Sequence, residues 1–250
     1  EKVFDVVVNK RPGMPDDNRE LFAKQLRIWR EQSGDVTELE NYMPVGYGRP
    51  ANEDDNSWKS SDTSHGGFWE GGKHWSEVPA DDAINLIEDS KKVDAPFFMY
   101  LAFNAPHDPR QAPERFLEMY PIENIKLPPN YSPQHPFWKE IGNEPGVRDE
   151  ALAPYPRSEY AVKKHIQEYF AIISHLDEQV GKIVSHLENQ NMLDNTYIIF
   201  TSDHGLAVGQ HGLVGKQSLY DHSIRVPMII NGPNIKKGSV YSQDIYLQDI

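Results

Sequence analysis

Three short stretches carry side chains able to handle a charged oxygen. Asp203-His204-Gly205 follows the apolar run Thr196 to Thr201 (TYIIFT) and sets a carboxylate beside an imidazole, where glycine lets the backbone turn sharply. Such a pair at a strand end can hold a divalent cation. The oxygen suits Ca²⁺ or Mg²⁺ and the imidazole leans toward Zn²⁺ or Mn²⁺, so residue type alone does not choose. The same pair also suits a plain turn in which Asp203 caps the next backbone amides.

Gly205, Gly209, Gly212 and Gly215 allow the following loop a close approach to a ligand, and Lys216 comes next with no acid beside it. Lys216 can take phosphate or sulfate oxygens, or lie solvated at the surface. It is not part of a Walker loop, because GLVGK lacks the spacing. His107 stands between Pro106 and Asp108 at the exit of another apolar run. There it is either a general acid for a leaving alkoxide or a simple loop histidine. His211 and Arg225 are candidates to contact an anionic ligand. Lys73-His74-Trp75 has no strand ahead of it and reads as a surface loop.

Positioning these groups requires strands that end together. Phe97 to Phe103 (FFMYLAF) reads as a buried central strand that runs into the proline-broken loop NAPHDPRQAP, and Thr196 to Thr201 as a second buried strand ending at SDHG. A third, Val226 to Ile230, ends at Asn231-Gly232-Pro233. Between the first two, Ser158 to Asn189 has Ile166, Phe170, Ile173, Val180, Ile183 and Leu187 at helical spacing, a stripe expected to pack on the sheet. Further helices are expected over Arg19 to Gln32 and from Pro79 to about Lys91. The rest of the first 77 residues reads as loops, and the proline-rich Pro121 to Pro156 as a surface excursion. Strand, loop, long helix and strand in that order describe an α/β fold whose ligands bind beyond the strands' carboxyl ends.

The 250 residues carry a formal charge of −13, with no clusters of Lys and Arg, which argues against a nucleic-acid surface. No apolar run approaches the eighteen or so residues a membrane helix needs. With no cysteine there are no disulfides, thiolate metal sites or cysteine nucleophile, and either redox compartment is allowed. An anionic substrate must therefore be captured by a small local positive pocket, which a bound dication with Lys216 and histidines would supply.

Taken together, NTYIIFTSDHG, GQHGLVGK, LYDHSIRVPMII and PFFMYLAFNAPHDP resemble the second half of the catalytic domain of type I, formylglycine-dependent sulfatases, within the alkaline phosphatase superfamily. The likeness runs from about Ala80 to Ile250 and is loose before that. It implies an α/β fold with a mixed, largely parallel central sheet sandwiched by helices, incomplete at both ends. Residues 1–250 would form part of one catalytic domain, loop-rich over 1–77 and holding its core in 78–250. It implies that Asp203 and His204 are two ligands of Ca²⁺, with Mg²⁺ as the alternative. Lys216 would bind the sulfate oxygens and His107 would assist the leaving group.

The implied activity is sulfuric ester hydrolysis on a sulfated carbohydrate, with no nucleic-acid or membrane partner, in the periplasm or outside the cell. The family's C/S-x-P-x-R nucleophile signature and two acidic metal ligands are absent, and Gly72-Lys73-His74-Trp75 departs from the family's Gly-Lys-Trp-His order. The formylglycine is therefore expected outside this chain, which would be inactive by itself. Phosphonate monoester or phosphodiester hydrolysis is the nearest rival, and a non-catalytic sulfated-glycan binder the other.

Overall fold

The computed structural model describes residues 4–9 and 19–250. Helix α1 (Arg19–Gln32) turns Phe22 and Trp29 inward against Leu39 and Ala151, and spans the segment its periodicity predicts. A short hairpin follows, β1 (Trp69–Glu70) against β2 (Lys73–His74). His74 is fully buried in it: its Nε2 lies 2.9 Å from the Gln111 carbonyl, and its Nδ1 accepts from the Ser76 amide at 3.1 Å. The Lys73-His74-Trp75 stretch is thus satisfied, as expected, but inside the protein and not on its surface.

Helix α2 (Glu77–Ser90) carries Pro79 in its first turn, where its missing amide proton costs nothing. A single turn, α3 (Glu114–Leu117), precedes the 31-residue α4 (Glu159–Asn189), which starts where the Ser158 hydroxyl accepts from the Ala161 amide at 3.1 Å. Ala80, Ala83 and Ile87 of α2 pack on Ile183 and Leu187 of α4, while Phe116 and Leu117 of α3 meet Ala171, Ile172 and Leu176.

The buried face of α4 differs from the expected apolar stripe. Phe170 and Ile173 are exposed, and the inward positions include His165, Glu168, His175 and Gln179. Hydrophobicity alone misplaces the face, because these polar side chains are buried with partners such as Arg49, which forms two hydrogen bonds to Glu168.

Strand β3 (Ile198–Thr201), the single-turn α5 (Asp221–Ile224) and β4 (Met228–Asn231) complete the frame. β3 and β4 pair antiparallel, with Ile199 opposite Ile230 and Phe200 opposite Ile229, and all four side chains are exposed, which corrects the expectation of a second buried strand. The segment 97–103 pairs with no strand among the described residues and leaves part of its length exposed, which corrects the expectation of a buried central strand. Met99, Leu101 and Phe103 face the α2–α4 helices, whereas Phe98 is 79% and Tyr100 71% exposed. The proline-rich 121–156 is also less superficial than expected, since His135, Asn143, Asp149 and Glu150 in it are buried. No helix among the described residues is long and apolar enough to cross a membrane.

Candidate active site

The two loops that leave 97–103 and β3 meet. Lys216 Nζ donates to His107 Nε2 at 2.7 Å, so the imidazole's proton sits on Nδ1, which lies 2.8 Å from Asp108 Oδ1. Arg148 holds the other Asp108 oxygen at 2.7 Å and also pairs with Asp149. Asp149 closes the ring 3.8 Å from Lys216 Nζ, while Gln217 donates to it at 2.7 Å. Two cations, two carboxylates and an imidazole thus form a closed, half-buried circuit. Burial works to raise the Asp108 carboxyl, but the hydrogen bond from His107 and the adjacent Arg148 guanidinium hold it well below the usual carboxylate range.

Lys216 owes its place to the glycine loop before it. Ala207 donates to the Gly215 carbonyl and Gly209 to that of Leu213, each at 2.8 Å, folding 207–215 back on itself. Gly209 has φ of +98°, and a Cβ there would lie 2.4 Å from Val162 Cγ1, so glycine is required at this crossing over α4. The buried Glu150 carboxylate accepts from the Val214 and Gly215 amides at 3.2 and 3.0 Å, and from Arg157 Nη2 at 2.8 Å. Burial pushes the Glu150 carboxyl up despite that guanidinium.

Asp203 and His204 sit at the end of β3, as expected, but take part in no such circuit. Asp203 Oδ1 accepts from the His204 amide at 2.9 Å, the turn-capping arrangement, and its side chain is 84% exposed. His204 Nδ1 faces the Gly205 carbonyl at 3.0 Å and its Nε2 lies 3.6 Å from Asp203 Oδ2. That separation lets one divalent ion touch both donors, so the pair suits part of a coordination shell. No group of three or more candidate ligands gathers among the described residues. The loop is anchored by the Gly205 amide, which donates to the Ser223 carbonyl at 2.8 Å.

His211 stacks on Tyr220 with ring centroids 4.3 Å apart, and its Nε2 meets the Asn130 amide at 2.9 Å. Arg225 is exposed and reaches Asp221 at 3.4 Å. Neither contacts His107 or Lys216. The residues that residue-by-residue reading missed are Asp108, Arg148, Asp149, Glu150 and Arg157. Asp108 was signalled by its place beside His107, whereas the other four lie in or just beyond a stretch without periodicity.

The class follows from likeness of fold. The structure resembles the phosphonate monoester hydrolase of Agrobacterium radiobacter with a TM-score of 0.54 at 22% identity, over 84% of this chain and 41% of that one. It resembles yidJ of Bacteroides fragilis with a TM-score of 0.51 at 29% identity, over 65% and 32%. These place it among α/β proteins of the alkaline phosphatase and sulfatase type, the expected fold class. The Sulfatase family model matches residues 18–250, and the chain belongs to that family. Iduronate 2-sulfatase of Mus musculus is 37% identical over 166 residues, covering 61% of this chain and 29% of that protein. The chain spans about a third of the length of the curated relatives it matches.

Proposed function

We propose that the protein containing this chain hydrolyses sulfate esters of a carbohydrate, with Lys216 holding the sulfuryl oxygens and His107 protonating the leaving oxygen. The observation that carries this reading is the 2.7 Å contact between Lys216 Nζ and His107 Nε2. It places a fixed positive charge and a proton-transfer group close enough to flank one ester. The relative named iduronate 2-sulfatase supports a sulfated sugar as substrate class, and family likeness supports action in the periplasm or outside the cell.

In this chemistry the ester enters between the two side chains. Lys216 leaves Nε2 for the sulfuryl oxygens, the freed Nε2 takes up a proton from solvent, and the resulting imidazolium gives it to the departing sugar oxygen as the sulfur–oxygen bond breaks, returning to the neutral ring. Asp108 keeps the ring oriented through Nδ1 and offsets the imidazolium charge, while Arg148 fixes Asp108. Such fixed charges need no reorganisation as the reaction proceeds, which is where most of the acceleration arises. Asp203 and His204 would supply two ligands to Ca²⁺ or Mg²⁺, which when bound neutralises charge on the sulfuryl oxygens. The nucleophile, a formylglycine, is assigned outside this chain.

The test is sulfate release by the full-length protein from sulfated sugars, set against aryl sulfates and phosphonate monoesters. Preference for the sulfated sugar is expected, and preference for the phosphonate would refute the reading. The non-catalytic alternative requires an encoding gene without a C/S-x-P-x-R codon run upstream of Glu1, and finding that run sinks it.

A further inference from the structure

A cavity of mixed polar and apolar lining adjoins the His107 loop. Its volume is about 110 Å³, several times the roughly 10–15 Å³ that admits one water, and Arg49, Asp108, Arg110 and Gln111 line it. Arg110 lies three residues beyond His107, and Asp108 bridges the two places by lining the cavity while bonding to His107.

Asp108 and Glu168 act on Arg110 through space, yet direct pairing in this cavity is uneven. Arg49 is matched, with both terminal nitrogens on Glu168 at 2.7 and 2.5 Å and its guanidinium 3.7 Å above the Trp58 ring. Asp108 is committed to His107 and Arg148. Arg110 is only 3% exposed, yet the partner of its Nη1 is the His165 ring at 2.5 Å, and no carboxylate among the described residues reaches ion-pair distance of it. His165 offers no compensating charge: burial, with the charges of Arg110 and Arg49, pushes it well below its ordinary value and keeps it neutral.

Three buried nitrogens lining the cavity have no acceptor among the described residues: Arg49 Nε, Arg110 Nε and Gln111 Nε2. Gln111 is held in place, its Oε1 accepting from the Phe68 amide at 2.7 Å. All three are donors, so the missing partner is an acceptor. Two of the three belong to guanidinium groups, whose hydrogen bonds are strongest to an anionic acceptor, so an anion suits the cavity best.

We propose that this cavity is an anion subsite in which Arg110 and Gln111 bind a second acidic group of the substrate, a uronate carboxylate or a further sulfate, beside the ester being cleaved. This rests on the sulfatase reading above and narrows the substrate to a sugar bearing two negative groups.

The test compares wild-type and Arg110→Gln full-length protein on a 2-sulfated uronic acid and a disulfated hexosamine, each against its singly charged counterpart. The ratio of kcat/KM, doubly to singly charged, should fall by about 10–100-fold in the variant, as for loss of charge-assisted hydrogen bonds. Arg110→Lys, which keeps the charge, should restore part of it. A fall confined to the uronate pair assigns a carboxylate, and one confined to the disulfated pair assigns a sulfate. A ratio within about twofold of wild type on both pairs overturns the subsite. If no sulfate ester is turned over, the functional reading fails and a second readout decides the subsite. Inorganic sulfate or glucuronate should raise the melting temperature of Lys216→Ala protein, and adding Arg110→Gln should abolish that rise. An undiminished rise overturns the subsite.

Discussion

His107 and Lys216 touch across 109 residues of sequence, whereas Asp203 and His204 touch only each other and their own turn. The first pair is locked from several sides, by Asp108, Arg148, Asp149 and, through the loop backbone, by Glu150. The second is solvent-facing and held by one short anchor at Gly205. The difference teaches that the groups proposed for anion capture and proton donation are organised by contacts within this chain. The proposed metal-binding half has its two donors, and only contacts within their own turn hold those side chains.

Substitutions should separate the two halves, beginning with the largest effect. Glu150→Ala leaves Arg157 buried and unpaired and frees the Val214 and Gly215 amides, so chemical denaturation should show a loss of about 3–5 kcal/mol. A loss below about 1 kcal/mol would mean that the loop is held by other contacts. Lys216→Ala in the full-length protein should lower kcat/KM by about 100–1000-fold, equivalent to about 3–4 kcal/mol of charge stabilisation. Near-normal turnover would remove it from the site.

The α4 core beneath the ordered half should respond to acid. Burial, with lesser opposing and reinforcing effects of Glu178, Arg115 and Lys182, lowers His175 to about 4. The unfolded chain binds that proton near its ordinary value of about 6.5, so stability is full above pH 6.5 and falls as pH drops toward 4, by on the order of 3 kcal/mol. Unfolding of wild type and His175→Leu should differ most in this slope, and parallel pH curves would contradict the assignment. The smallest effect is expected at the other half. Asp203→Ala loses one exposed turn cap, so stability should change by no more than about 1 kcal/mol, and a larger change would show hidden packing.

Legibility in the sequence followed the same division. His107, Asp203, His204 and Lys216 could be picked out because each follows an apolar run and sits beside proline or glycine, signals that act over a few residues. Helices α1, α2 and α4 were visible from spacing and caps. Residues 97–103 were misjudged because apolarity reports what a strand can bury, not which neighbours cover it, and here helices cover one face alone. The face of α4 was misplaced because His165, Glu168, His175 and Gln179 are buried by partners far away in sequence. Arg148, Asp149 and Glu150 left no trace for the same reason, since their roles exist only once distant loops have met.

The most direct test of the central claim is a double-mutant cycle on sulfate release by the full-length protein, using His107→Ala, Lys216→Ala and the double substitution. Residues acting as one unit on one ester should be strongly non-additive, the double variant losing little more in kcat/KM than the worse single one. Losses that multiply independently, or turnover near wild type in either single variant, would contradict it.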